Sequence, residues 1–180
     1  KIIYICKESY RTECGTVCSV MTVPIAALQW YRLQCYAWYR FSAIVNEVFS
    51  AVKGEGSFLN GKPIHVSSAK KLSETIIGIG TAKRELAKEN FTRFLKVYEN
   101  SQDIRRLGSA ALELAYTACG RQGGYFEVYL NPWDYAAGIL LVEEAGGKVT
   151  DWIGNKLNPR QGNQVIGTNG NIHQELLRIL

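Results

Sequence analysis

A proline turn, an acidic residue and an apolar helix follow one another in Asn131-Pro132-Trp133-Asp134-Tyr135-Ala136-Ala137-Gly138. The run continues through Leu141-Val142-Glu143-Glu144-Ala145-Gly146-Gly147. Pro132 fits the start of a helix, where its missing N–H costs nothing. Asp134 then falls in the first turn, its carboxylate beside free backbone N–H groups. A carboxylate on a rigid helix start is a good metal ligand, and a helix N-terminus favours phosphate. Together these features point to metal-dependent phosphate chemistry. On spacing alone, they describe equally an acidic first turn and an ordinary glycine helix stop at Gly146-Gly147.

Three other places carry candidate chemistry. Gly108-Ser109-Ala110 lies between a strand and a helix. Gly108 permits close approach of a ligand to the backbone, and Ser109 is a natural N-cap. The turn after the carboxyl end of a strand is where α/β sheets bind ligands, although a cap and a tight turn also need none. Glu127, seven residues before Asp134 and near the end of a strand, is placed to accept hydrogen bonds from polyol hydroxyls. Its alternative is an exposed strand residue. Arg105-Arg106 precede the Gly108 turn and would attract phosphate, with at least one expected to pair with an acid. His65 and His173 are expected at the surface rather than as catalytic bases.

These residues need elements to hold them. Glu47–Val52 alternates as a strand, Lys53-Gly54-Glu55-Gly56 is a turn, and Ser57-Phe58-Leu59 returns. Asn60-Gly61 is a strong hairpin pair before Lys62-Pro63-Ile64. From residue 75 on, strands and helices alternate: strand 75–80, helix 84–98, strand 103–107, helix 109–118, strand 125–130, helix 133–145, strands 148–151 and 164–168, helix 171–180. The first helix carries Leu86, Phe91, Phe94, Leu95 and Tyr98 as its apolar side. Such alternation specifies a layered α/β unit. Residues 1–43 differ, being rich in Cys, Tyr, Trp and Arg, with only Glu8 and Glu13 as acids. Tyr31–Arg40 alternates poorly, although its aromatic residues favour strands.

Composition narrows the class. An apolar fraction of 47% and a charged fraction of 21% fit a globular protein of 180 residues. No run approaches the roughly 20 apolar residues that span a bilayer, so no membrane partner is expected. The net charge of +5 is spread among acids rather than gathered into a stripe, which argues against a nucleic-acid partner. Four of five cysteines fall within the first 35 residues without a C-x-x-C pair, so neither zinc nor a disulfide framework is expected. Lys1-Ile2-Ile3-Tyr4-Ile5-Cys6 does not read as a signal peptide. A reducing, cytoplasmic setting follows, and without an initiator Met the true start is expected upstream.

Trp-Asp-x-Ala-Ala-Gly followed by Glu-Ala-Gly-Gly resembles the C-terminal signature of the inositol monophosphatase family. Phe49-x-Ala51-x-x-Gly54-x-Gly56-x-Phe58-x-Asn60-Gly61-x-Pro63-Ile64 is similar to its hairpin. Arg106-x-Gly108-Ser109-Ala110-Ala111 is similar to its middle motif, and Gly167-Thr168-Asn169-x-x-Ile172-His173 to its closing strand and helix. These motifs span residues 44–180. The resemblance implies an α/β (α+β overall) layered αβαβα sugar-phosphatase-type fold, truncated or altered at the N-terminus. It implies Mg2+-dependent, Li+-sensitive hydrolysis of phosphate monoesters, chiefly inositol 1-phosphate, by a homodimer acting on a small phosphorylated polyol. Carried over, Asp134 would ligate Mg2+ and approach a ring hydroxyl. Gly108, Ser109 and Ala110 would line the substrate pocket, and Glu127 would hold another hydroxyl. The alternatives are a nucleotide-3'-phosphate or sugar bisphosphatase of the same superfamily, or a non-catalytic remnant or interaction protein.

One departure matters. The resemblance implies further acidic ligands upstream of the hairpin, yet residues 1–43 contain no Asp. Any coding of Val20-Met21-Thr22-Val23-Pro24-Ile25, read one base back, contains an Asp codon and is compatible with Asp-Gly-Thr-Asn. The chain is therefore expected to divide into an atypical segment, 1–43, in a shifted frame; a remnant of an antiparallel-sheet domain, 44–74; and a C-terminal α/β domain, 75–180. The chain alone is expected to be inactive.

Overall fold

The computed structural model describes residues 36–41 as backbone, and residues 47–81, 84–158 and 161–180 with their side chains. Four strands form an antiparallel sheet in sequential order: β1 (Tyr36–Phe41), β2 (Glu47–Val52), β3 (Gly56–Leu59) and β4 (Lys62–Ile64). In β2, Glu47, Phe49 and Ala51 are buried while Val48, Ser50 and Val52 are half-buried, the period of two that a strand with one core face requires. The β3–β4 turn is Asn60-Gly61, both at positive φ (50° and 76°). That geometry makes a tight two-residue hairpin whose twist matches its strands. The Asn60 side chain also accepts the Val48 N–H at 2.8 Å.

β1 runs against β2 in unbroken register from Tyr36↔Val52 to Phe41↔Glu47. Imperfect pairing is expected there from the sequence, because Tyr31–Arg40 alternates poorly. The strand preference of aromatic residues prevails over the weak alternation. The remaining expectations for the first 35 residues, including the shifted frame at Val20–Ile25, lie outside the described residues.

A second, mixed sheet is built from β5 (Ile76–Ile79), β6 (Asp103–Arg105), β7 (Gly124–Leu130), β8 (Lys148–Thr150) and β9 (Asn163–Thr168). Its order is β6-β5-β7-β9-β8. β5 is parallel to β6 and β7, and β9 is antiparallel to β7 and β8. Four helices accompany it: α1 (Ala87–Asn100), α2 (Ala110–Ala118), α3 (Pro132–Glu144) and α4 (His173–Ile179).

Neighbouring residues on the central strands point to opposite faces, and each face has its own core. Tyr125 and Val165 join Phe49, Ala51, Leu114, Leu141 and Val142 in the core between the two sheets. Phe126 and Ile166 join Ile77, Phe94, Val97, Ile172 and Leu176 on the other side. The layers are thus antiparallel sheet, α2 with α3, mixed sheet, and α1 with α4. Lying between two sheets, α3 buries Tyr135, Ala136, Ala137, Gly138, Leu141 and Val142, which explains its near-continuous apolar sequence.

Two expectations fail on burial. In α1 the buried stripe is Asn90, Phe94 and Val97, while Phe91, Leu95 and Tyr98 are 65, 57 and 54% exposed. This helix carries more apolar residues than the sheet can cover, and helical spacing cannot choose between adjacent stripes. His65 is exposed as expected, but His173 is only 1% exposed. The Thr150 hydroxyl donates to the Asp151 carbonyl at 2.7 Å, so it accepts from His173 Nε2 at 2.9 Å. Thr168 Oγ1 accepts the Gly170 N–H at 3.1 Å and donates to Nδ1 at 2.9 Å. The network fixes the neutral ring with its proton on Nε2. Burial, with a smaller push from Lys148, brings its pKa down to about 4.

Two consequences follow. Between pH 6.5 and 4 the unfolded chain binds a proton at His173 that the folded chain refuses. Stability should therefore fall as pH drops through this window, by up to about 3 kcal/mol from this group, and be insensitive to it above pH 6.5. Urea midpoints of the wild type and His173→Gln across pH 4–7 would show it as a difference in slope; parallel profiles would contradict it. At α3, a Cβ on Gly138 would overlap Leu114 Cδ1 and lie 2.7 Å from Leu114 Cβ. Gly138→Ala should cost about 1–3 kcal/mol by overpacking, read as a lower urea midpoint. An unchanged midpoint would show that α2 and α3 separate freely.

Candidate active site

Because β5, β6 and β7 are parallel, their carboxyl ends lie at one edge of the mixed sheet, the usual place for a ligand in such a sheet. β6 leads there into the loop before α2, and β7 leads into Asn131 and α3. The edge therefore receives Gly108, Ser109 and Ala110 from one connection and Asp134 from the other.

Asp134 stands in the first turn of α3, half-buried. Its Oδ2 accepts the Asn131 N–H at 3.1 Å, and its own N–H donates to the Asn131 carbonyl at 2.9 Å. This reciprocal pair fixes the carboxylate at the helix start, as Pro132 and the acid in sequence imply. Ser109 is extended (φ −137°) and caps α2, its Oγ accepting the Leu112 N–H at 3.4 Å. Gly108 is exposed, with φ 80° and no atom within 4 Å of where a Cβ would stand. The loop offers open backbone beside a helix N-terminus.

Glu127 is neither at the end of its strand nor exposed. It lies within β7 at 8% exposure. Two features make room for it: a Cβ on Gly80 would overlap its carboxylate, and the Tyr125 hydroxyl donates a short hydrogen bond to Oε2. Tyr125 is 1% exposed. Burial first, then the charges of Glu127, Glu113 and Asp134, push its pKa up. Its hydroxyl thus stays protonated, a donor within the field of three carboxylates from β7, α2 and α3. Glu113, 1% exposed, accepts the Leu107 N–H at 2.7 Å and so reaches the loop that carries Gly108. Glu127 is thus tied to Tyr125 and the loop of Gly108 to Glu113, and the charges of Asp134 and Glu113 both reach the Tyr125 hydroxyl.

Tyr125 and Glu113 are absent from the sequence expectations. Glu113 had a signal, as the only charged residue in the apolar run Ala110–Ala118. Tyr125 had none in an apolar strand. Of the two arginines, Arg105 pairs with Asp103 and holds that carboxyl below its usual range; Arg106 is exposed. A polar hollow of about 360 Å³ bounded by Ser67, Glu74, Thr75, Gln102 and Arg121 lies at the opposite, amino end of β5.

The site can accept hydrogen bonds from hydroxyls at its carboxylates and receive an anion at the α2 start. A metal is another matter. Among the described residues no three or more His, Cys, Asp or Glu side chains are grouped closely enough to hold a metal ion. Asp134, with one oxygen already engaged by Asn131, is a single hard ligand. Mg2+ is bound by one or two carboxylates with substrate phosphate and water; two or three Mg2+ ions do not fit the described residues alone. No described helix is long and apolar enough to cross a membrane.

A model of the inositol monophosphatase family matches residues 14–180. The match begins within the atypical segment 1–43, earlier than the motifs at 44–180. The Nus factor SuhB of Escherichia coli K12 is 45% identical over 126 residues, covering 68% of this chain and 46% of the relative. The inositol-1-monophosphatase of Synechocystis is 40% identical over 136 residues, 74% of this chain and 47% of its own. The solved structure of inositol monophosphatase from Anabaena superposes with a TM-score of 0.71 at 39% identity, covering 76% of this chain and 54% of that one. The chain spans about half the length of the curated relatives it matches. With the layered fold and these matches together, the chain belongs to the inositol monophosphatase family.

Proposed function

We propose that the intact parent protein of this chain is a Mg2+-dependent phosphatase that hydrolyses inositol 1-phosphate to myo-inositol and phosphate. The observation that supports this best is the convergence of Asp134, Glu127 and the Gly108 turn at one edge of the mixed sheet, in a chain of this family. Gly108, Ser109 and Ala110 line the pocket in this reading. Glu127, already held by Tyr125, accepts from a ring hydroxyl. Asp134 contributes one metal ligand and meets another hydroxyl. The metal, when bound, would supply electrostatic stabilisation and a more acidic water; its remaining ligands come from outside the described residues. The reaction adds water to phosphorus and releases the ring oxygen as an alcohol. We further propose a cytoplasmic homodimer, with residues 44–74 belonging to the antiparallel-sheet part and 75–180 to the α/β part.

Nucleotide-3'-phosphates and sugar bisphosphates are the runner-up substrates, because they share the phosphate end of such a pocket. A non-catalytic role is the second reading. It is favoured by the 45% identity to a relative named for a Nus factor and by the single described metal ligand.

Three measurements test this. The intact parent protein, assayed with Mg2+ on a panel of phosphate monoesters, should prefer inositol 1-phosphate; preference for an adenosine bisphosphate would overturn the substrate choice. The 180 residues alone should show little or no turnover, and robust Li+-sensitive hydrolysis by them would refute the view that essential ligands are missing. In the intact parent, Asp134→Asn should nearly abolish turnover without unfolding, since it keeps volume and removes a hard anionic ligand. Glu127→Gln should raise KM more than it lowers kcat. Normal turnover and normal Mg2+ dependence in Asp134→Asn would make its place in the signature structural.

A further inference from the structure

We infer that Glu113 is a positioning residue for the substrate loop: its buried carboxylate fixes the Leu107 amide and thereby the backbone of Leu107–Ala110. This rests on the reading above that the loop lines the pocket. The Leu107 side chain is 43% exposed, and Gly108 has open space around it. What grips Leu107 is its own N–H, donated to Glu113 Oε1 at 2.7 Å.

The rest of the fold is shaped to keep that carboxylate in place. Oε2 accepts from Gln122 Nε2 at 3.2 Å. Gln122 is itself only 4% exposed, and its amide nitrogen also approaches the Glu113 carbonyl at 2.9 Å and Thr117 Oγ1 at 3.2 Å. Below them, a Cβ on Gly78 of β5 would overlap Glu113 Oε2 and lie 2.6 Å from Gln122 Nε2. Strand, helix and the α2–β7 connection thus all leave space for one acid. Burying a carboxylate is costly unless its oxygens are hydrogen-bonded, and here each oxygen has a donor. One of those donors belongs to the loop that meets the substrate. A leucine or glutamine at 113 would suit the apolar surroundings at lower desolvation cost, but leucine would leave the Leu107 N–H unpaired and glutamine would set two amide donors against each other at Gln122.

The test uses the isotopically labelled 180-residue chain. Hydrogen exchange at the Leu107 amide is referred to that of Phe126 in β7, so that local and global opening are separated. Affinity for inositol 1-phosphate, with Mg2+ present, is followed by calorimetry. Glu113→Ala should speed Leu107 exchange about tenfold relative to Phe126 and weaken binding by a similar factor, the size expected for one hydrogen bond to a charged group. Glu113→Gln, which keeps an acceptor for Leu107, should retain most of both. Glu113→Asp keeps the buried charge but is one methylene too short, so it should behave as the alanine variant does; it serves if the alanine variant fails to fold. Unchanged Leu107 protection in the Ala and Asp variants, or equal loosening of Leu107 and Phe126, would overturn the positioning role. The affinity arm is repeated in the intact parent protein: should the parent bind neither inositol 1-phosphate nor inorganic phosphate with Mg2+ present, the pocket reading fails and takes the substrate half of this inference with it, whereas the Leu107 exchange in the 180-residue chain still decides whether Glu113 holds the loop.

Discussion

The close approach of α3 to α2 at Gly138 governs the arrangement of the whole site. Leu114 occupies the space that a side chain on Gly138 would fill, so the two helices lie closer than side chains on both would permit. One turn before Gly138, Asp134 stands in the first turn of α3; one turn before Leu114, α2 begins after Ser109. The helix contact therefore sets the acid and the cap loop relative to each other. A glycine in a buried helix interior weakens the isolated helix by about 1 kcal/mol relative to alanine, and tight packing is what the fold gains for it.

The far end of α3 secures the other sheet. Glu144 accepts the Gly54 and Gly56 N–H groups at 3.0 and 3.2 Å, and the Ser57 hydroxyl donates to the Leu141 carbonyl at 2.7 Å. Arg121, lying over Tyr116, pairs with Glu47 at the start of β2, holding that carboxyl below its usual range. Through α3 the antiparallel sheet and the carboxyl edge of the mixed sheet become one mechanical unit. The core that joins them runs from Phe49 and Ala51 to Leu114, Leu141 and Val142. Within that unit the buried acids divide their work. Glu127 accepts from the Tyr125 hydroxyl, while Glu113 accepts from the Leu107 backbone N–H. Burial pushes the Glu113 carboxyl up, with Glu127 adding to it and the Leu107 and Gln122 hydrogen bonds opposing.

Much of this was legible in local sequence. Asn60-Gly61 demanded a hairpin because few pairs tolerate two positive φ angles. Pro132 and Asp134 announced a helix start, and Ser109 a cap, because each chemistry is completed within a few residues. β2 followed from its alternation, and β5 and β7, to within a residue at each end, from short apolar runs between turn residues. What escaped depended on partners far along the chain. The buried face of α1 was set by the sheet and α4, not by its own spacing. His173 is buried because Thr150 and Thr168 satisfy both ring nitrogens. Glu127 could sink into the sheet because Gly80, 47 positions earlier in sequence, has no side chain. Tyr125 and Glu113 gain their roles only when β7 and α2 meet.

The most direct test of the central claim is a structure of the intact parent protein with inositol 1-phosphate and Mg2+ bound. The phosphate should lie near the start of α2, beside Gly108–Ala110. A ring hydroxyl should lie within hydrogen-bond distance of Glu127, and the metal should be ligated by Asp134. Ligand seated instead in the polar hollow at the amino end of β5, among Ser67, Glu74 and Arg121, or a metal site that leaves Asp134 uncoordinated, would contradict it.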